Sequence, residues 1–354
     1  MATLLDPITI GGLQLPNRVI MAPLTRLRGT PDHVPTPVMI EYYKQRASAG
    51  LIISEGVPVS PQGVGYAQVP GVWSEQQIAQ WKPVTETVHK AGGRIFAQIW
   101  HVGRISDPFF LKGDIPVGPS AVKAPGHVSL MRPEKPFETP RALDASEIPG
   151  IIADYKKGAA NAKAAGFDGV EIHGANGYLL DQFLQDGTNH RTDAYGGTVE
   201  KRARLMLEVA DAVAEVWGPE RVGMHLAPRS DTHGTSDSNL PETFGYVARE
   251  LGKRKLGFLC SREYEAPGWL GPQLKQQFGG VYIANEKFTL ESGNAAIRRG
   301  DCDAVAFGKL FIANPDLVER FAAHTALNAP VPETFYTHGV EGYTDYPALV
   351  AAAV

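Results

Sequence analysis

A histidine and an asparagine, followed closely by a tyrosine, stand together in the segment His173-Gly174-Ala175-Asn176-Gly177-Tyr178. All three side chains donate hydrogen bonds while neutral, and His173 and Asn176, three apart where the strand turns out, can both point at one oxygen. Other candidates are similarly uncharged: Pro23, Leu24 and Thr25, then Gly56, Gln98 and Trp100, with His225 further along. Ala284-Asn285 and Gly308-Lys309 offer backbone amides and one cation, the make-up of a barrel phosphate site. Neutral donors and acceptors with a phosphate-binding end suit flavin mononucleotide (FMN). Gln98 is then expected at the pyrimidine edge of the ring, and Thr25 donating toward O4 or N5.

Other chemistries find less support. A metal hydrolase on a barrel commonly uses two histidines two apart on a strand, and none of the ten histidines is so spaced. A Schiff-base lyase needs a desolvated lysine in the barrel mouth, for which Lys309 is the strand-end candidate. No Gly-x-Gly-x-x-Gly follows a strand, so a nicotinamide must visit the site rather than reside in a Rossmann crevice. Two rivals stay open at this level: a colourless non-flavin barrel lyase, and a degenerate chain that binds FMN weakly.

The elements that must position these residues alternate. Short β-branched runs are expected as strands at Val19–Ala22, Leu51–Val57, Arg94–Ile99, Gly169–His173, Val222–Leu226, Phe258–Ser261, Val281–Ala284 and Ala304–Phe307. Helices are expected between them at Val38–Ala49, Glu75–Ala91, Ile148–Ala165, Val199–Val216, Glu242–Lys253, Leu270–Gln277 and Phe288–Arg298, with Pro315–Ala323 last. Eight such units predict an α/β fold, a single (β/α)8 TIM barrel over 1–354, with chemistry at the C-terminal strand ends. Ile8–Leu15, with Gly11-Gly12 at its centre, reads as a hairpin that plugs the barrel floor. The Pro- and Gly-rich stretch from His101 to Ser146, after strand three, is too long for a connector and reads as a substrate-side excursion or lid.

Composition agrees. With 43% hydrophobic and 20% charged residues the chain can bury a large core. A net charge of −4 with signs interspersed argues against nucleic acid or an anionic membrane and for a small-molecule substrate. Cys260 and Cys302 are too few for a disulfide scaffold and are expected buried and reduced. No targeting or membrane-spanning segment is evident, so a cytoplasmic location is expected. Monomer or homodimer is left open, and the apolar tail 348–354 is expected either disordered or packed on a neighbour.

Longer segments carry a resemblance. Val170–Leu179, followed by Asp181–Leu184 and Thr188–Gly197, resembles the signature of the old yellow enzymes. Asn17–Arg26, Pro70–Ser74, Gln98–Arg104, Ala306–Leu317 and Gly342–Pro347 extend it in order across nearly the whole chain, most like the bacterial branch of morphinone, N-ethylmaleimide and nitrate-ester reductases. The resemblance implies an FMN barrel that passes hydride from NADPH or NADH to activated alkenes by a ping-pong cycle, with both substrates using one space in turn. His173 and Asn176 then hold the substrate oxygen, and Tyr178 protonates the α-carbon, although in the family its loss need not stop hydride transfer. Pro23, Leu24, Thr25, Gly56, Gln98, His225, Ala284, Asn285, Gly308 and Lys309 are expected against the flavin. Tyr66, Trp100, Tyr264 and Tyr343 are expected around the substrate, and no metal is expected.

The sequence also departs from the family. His225 stands where an arginine is usual, Ala284 where a glycine is common, Lys309 where many members carry arginine, and Lys201 where an asparagine is usual. Exchanging a permanent cation near the flavin for a titratable ring is expected to lower flavin affinity or reduction potential.

Overall fold

The computed structural model describes residues 2–230 and 232–349; most of the apolar tail therefore lies outside the described residues. The chain opens with the expected antiparallel hairpin of β1 (Ile8–Ile10) and β2 (Leu13–Leu15), turned through Gly11 and Gly12 at φ 55° and 75°. Such positive φ at both turn positions favours glycine. Its inward residues Ile10 and Leu15 pack with Ile20, Ile53, Phe96, Phe258 and Ile283 from inside the barrel, so the hairpin does close one end.

Then come β3 (Val19–Met21), α1 (Pro37–Lys44), β4 (Leu51–Pro58), α2 (Glu75–Lys90) and β5 (Ile95–Trp100). Next are the short β6 (Val117–Gly118) and β7 (Arg141–Ala142), then α3 (Ile148–Ala164), β8 (Gly169–His173), α4 (Leu179–Leu184), α5 (Val199–Trp217) and β9 (Val222–Leu226). The remainder alternates through α6 (Leu240–Lys253), β10 (Phe258–Arg262), α7 (Gly271–Phe278), β11 (Val281–Asn285), α8 (Leu290–Arg299) and β12 (Ala304–Phe307), ending in α9 (Lys309–Ala313) and α10 (Leu317–Ala323). Eight strands, β3, β4, β5 and β8 to β12, pair in parallel, and β12 pairing with β3 closes the barrel. Successive side chains alternate across each strand. Thus Val170 and Ile172 of β8 face the apolar layer beneath the helices, while Glu171 and His173 belong to the interior.

The expected strands are all present, three with the expected ends and five shifted by one residue. β10 and β11 each run one residue further than expected, to Arg262 and Asn285. Helix α1 stops at Lys44 instead of Ala49, and α4 and α9 are short helices that the periodicity did not isolate. The stretch after β5 is ordered around a small apolar cluster in which Val102, Ile105, Ala124, Val128 and Phe137 pack with Trp100 and Tyr178. That places it beside the strand ends, as expected of a substrate-side excursion. Among the described residues no helix is long and apolar enough to cross a membrane.

Candidate active site

The C-terminal strand ends surround a cavity of about 860 Å³, within the usual size for cofactor sites. Its shape starts with backbone. β8 ends at His173, and Asn176 (φ 58°) and Gly177 (φ 74°) then reverse the chain into α4. Asparagine tolerates this left-handed conformation better than most residues. Glycine is required next, since a Cβ there would sit 2.6 Å from the Thr232 carbonyl oxygen. Asp181 Oδ2 accepts the Gly177 N–H at 2.8 Å, and the Asn176 carbonyl faces His233 Nδ1 at 2.8 Å. The turn is thereby tied at both ends, bringing His173, Asn176 and Tyr178 to one cavity wall.

Four rings stand in series along this wall: Tyr66 on Trp100 (centroids 5.5 Å), Trp100 on His173 (5.8 Å) and His173 on His225 (5.7 Å), with interplanar angles below 30°. Tyr178 meets Trp100 and His173 edge-on, and its hydroxyl lies 2.8 Å from that of Tyr66. Burial, reinforced by the neighbouring phenol, pushes Tyr178 well above the usual range, so the hydroxyl keeps its proton. Burial first, then the nearby His225 and Arg262, drives His173 well below the usual imidazole range, so it is neutral. Its enclosed Nδ1 has no hydrogen-bond partner among the described residues.

Two lining residues, Gln98 and His225, tie into a second polar group with Glu171, which lies behind them in the barrel interior. Glu171 Oε1 accepts from Gln98 Nε2 at 2.8 Å and lies 3.2 Å from His225 Nδ1. Two buried atoms there, Glu171 Oε2 and His225 Nε2, lack partners among the described residues. An unpaired buried polar atom is costly, and a bound polar ring would relieve it. Gly56 and Gly308 leave room: a Cβ on Gly56 would lie 2.5 Å from the Trp100 ring. At the far end Asn285, Glu286, Lys287, Gly308 and Lys309 line the cavity, and Lys309 is exposed and forms no ion pair among the described residues. Room for a cofactor, neutral donors, an unpaired imidazole nitrogen and a lysine at the far end fit FMN. An exposed lysine does not fit Schiff-base chemistry, which needs desolvation.

Pro23, Leu24, Thr25, Gly56, Gln98, Trp100, His225, Asn285, Gly308 and Lys309 all line the cavity beside the His173, Asn176 and Tyr178 cluster. Four expected residues do not. Tyr66 is set back and reaches the site through Tyr178. Ala284 packs in the apolar layer under the helices, because its side chain alternates with those of Ile283 and Asn285. Tyr264 is exposed, with Lys287 Nζ 4.1 Å and Arg229 5.2 Å from its ring centre. Tyr343 is fully buried away from the cavity, stacked on Tyr42 at 4.0 Å beneath Arg26 and Arg28. Its role is to anchor the C-terminal segment, whose carbonyls at Phe335, Gly339, Glu341 and Gly342 accept from those arginines.

Some residues of the site were not anticipated. Glu171 lies two before His173 on one strand and so shares its face, a signal present in the sequence. Arg262, first residue of the stretch to Leu270 that the sequence suggests as the pocket roof, lines the cavity because β10 runs one residue long, but no role for its side chain was expected. Tyr336, half-exposed, lies near enough to Tyr66 and Tyr178 to raise both phenols, and only the fold of the C-terminal segment brings it there.

A closed parallel barrel with this mouth defines a flavin-using barrel oxidoreductase. The chain belongs to the NADH:flavin oxidoreductase / NADH oxidase family, which it matches over residues 3–328, and within it to the old yellow enzymes. It is similar to the old yellow enzyme homologue of Zymomonas mobilis (TM-score 0.96, 45% identity, 98% of this chain and 100% of that one). It is equally similar to morphinone reductase, solved in complex with tetrahydroNAD (TM-score 0.95, 50% identity, 99% and 98% covered). A Leishmania infantum protein named "Probable flavin mononucleotide-dependent alkene reductase" is 41% identical, covering 98% of this chain and 97% of that protein.

Proposed function

We propose that this protein is an FMN-dependent ene-reductase that takes its electrons from NADPH or NADH and reduces alkenes activated by a carbonyl or nitro group. The observation that carries the reading is the joint placement of His173, Asn176 and Tyr178 on one wall of a cavity that His225 also lines, its Nε2 unpaired among the described residues. When bound, FMN supplies the two-electron carrier that accepts hydride from the nicotinamide and delivers it to the alkene β-carbon.

The residues of this chain do the rest. His173 and Asn176 donate to the substrate oxygen, stabilising the negative charge that grows there as the β-carbon gains hydride. A neutral imidazole has one N–H to give, and keeping His173 uncharged avoids a proton exchange that would vary with pH. Tyr178, held protonated, gives its proton to the α-carbon, and the Tyr66 hydroxyl at 2.8 Å can reprotonate it. Trp100 and the residues after β5 exclude water from this wall. Gln98, whose amide already donates to Glu171, leaves its carbonyl to accept from the flavin edge. Lys309 and the Asn285–Lys287 turn supply charge and amides for the phosphate. The chain works as a monomer or homodimer, which sedimentation would distinguish.

The test is anaerobic spectroscopy. Purified protein should carry a flavin absorption band that NADPH bleaches and cyclohexenone restores, one alkene per flavin. A colourless protein unable to bind added FMN, or a bleached one that only oxygen restores, would reject the proposal.

A further inference from the structure

Asn176 can serve a substrate oxygen only if its amide points the right way. Nδ2 donates, whereas Oδ1 facing the oxygen would repel the charge that grows there. The backbone of Asn176 is fixed by its left-handed φ and by His233 at its carbonyl, but neither sets the side-chain amide. One contact does: Arg262 Nη1 donates to Asn176 Oδ1 at 3.0 Å, the sole hydrogen bond of that amide among the described residues. A guanidinium has five donors and no acceptor, so only the oxygen of the amide can face it. Arg262 comes from β10 and Asn176 follows β8, with β9 between them, so a long side chain is needed to bridge the two. Its other end is steadied by Glu286 Oε1, 3.4 Å from Nη2.

We propose that Arg262 is a positioning residue for the reduction: by holding Asn176 Oδ1 it keeps Nδ2 directed at the substrate oxygen, and its charge strengthens that donor. The inference rests on the ene-reductase reading and assigns a role to a residue outside the histidine–asparagine–tyrosine group. A lysine in place of Arg262 retains a donor and the charge but not the planar fork. A methionine of similar reach retains neither.

The experiment is a double-mutant cycle on reoxidation of the NADPH-reduced holoenzyme by cyclohexenone, followed under anaerobic stopped flow. Arg262→Met should lower the limiting reoxidation rate divided by the apparent enone Kd by roughly tenfold, about 1.4 kcal/mol, and Arg262→Lys should recover part of it. In an Asn176→His background, where the ring brings its own N–H, Arg262→Met should cost little. FMN content and melting temperature show that each variant is folded, and Arg262→Gln replaces the methionine variant if that one is not. Equal loss in both backgrounds, or no loss in either, overturns the proposal. Failure of the wild-type protein to be reoxidised at all would instead reject the ene-reductase reading.

Discussion

Tyr178→Phe isolates the proton from the rest of the machinery. Phenylalanine keeps the ring that meets Trp100 and His173 edge-on at 4.8 and 5.0 Å, so the cavity wall should survive. What disappears is one hydroxyl, and with it the 2.8 Å contact to Tyr66. Losing the partner of a buried hydroxyl costs about 1–3 kcal/mol, so a modest fall in melting temperature is expected. A positioned general acid contributes roughly 10²–10⁴ in rate, and reoxidation by an enone should slow by up to that amount. It should not stop, because Tyr66 or water can replace part of the function. Reduction by NADPH needs no proton from Tyr178 and should stay as fast as in the wild type. Because burial holds the phenol well above its usual range, wild-type reoxidation should also be flat with pH from about 6 to 9, falling only in strongly alkaline solution. Stopped-flow measurement of both half-reactions, in H2O and D2O, checks this. If Tyr178→Phe is reoxidised at the wild-type rate with an unchanged solvent isotope effect, Tyr178 is not the donor and the reasoning fails.

His225→Arg should tighten FMN or raise its midpoint potential, since a permanent cation then faces the orphaned Glu171 Oε2 and the cavity. A hydrogen bond to a charged group is worth about 1.5–3 kcal/mol, so a tenfold or larger change in FMN Kd is expected in a fluorescence titration. Unchanged affinity and potential would reject it. Gly56→Ala should destabilise by about 1–3 kcal/mol and loosen FMN, because the added methyl meets the Trp100 ring; thermal melts with and without FMN read both effects. Glu55 is fully buried, and its contacts are the Arg26 N–H and the Tyr43 hydroxyl rather than a guanidinium, so burial raises it to about 7. The folded state then holds a proton that the unfolded state releases near its ordinary value, so this group's contribution to stability falls as pH rises from about 5 to 8. Its ceiling is about 3 kcal/mol, and Glu55→Gln should flatten that part of the urea-midpoint profile.

What was legible in the sequence, and what was not, follows from the range of the interactions involved. The eight strands were readable because each is a short β-branched run, and the cluster around His173 because its members are neighbours in sequence. Ala284 was expected to offer a backbone amide, but it packs in the helix layer and the cavity lining starts one residue later, at Asn285. Tyr343 was misplaced for another reason. Its surroundings are Arg26, Arg28 and Tyr42, some three hundred residues away in sequence, and no local pattern shows that they close over it. Arg262 and Tyr336 reach the site only through tertiary structure, one by a strand running one residue longer and the other by the path of the C-terminal segment.

The resting place of a substrate oxygen tests the roles of His173 and Asn176 most directly. A crystal structure of the FMN-bound protein with cyclohexenone should place the carbonyl oxygen about 3 Å from both a ring nitrogen of His173 and Nδ2 of Asn176. The alkene should then lie flat on the flavin, with the Tyr178 hydroxyl on its other face. An enone bound with its oxygen toward Lys309 or the solvent, leaving His173 and Asn176 without a partner, would contradict it.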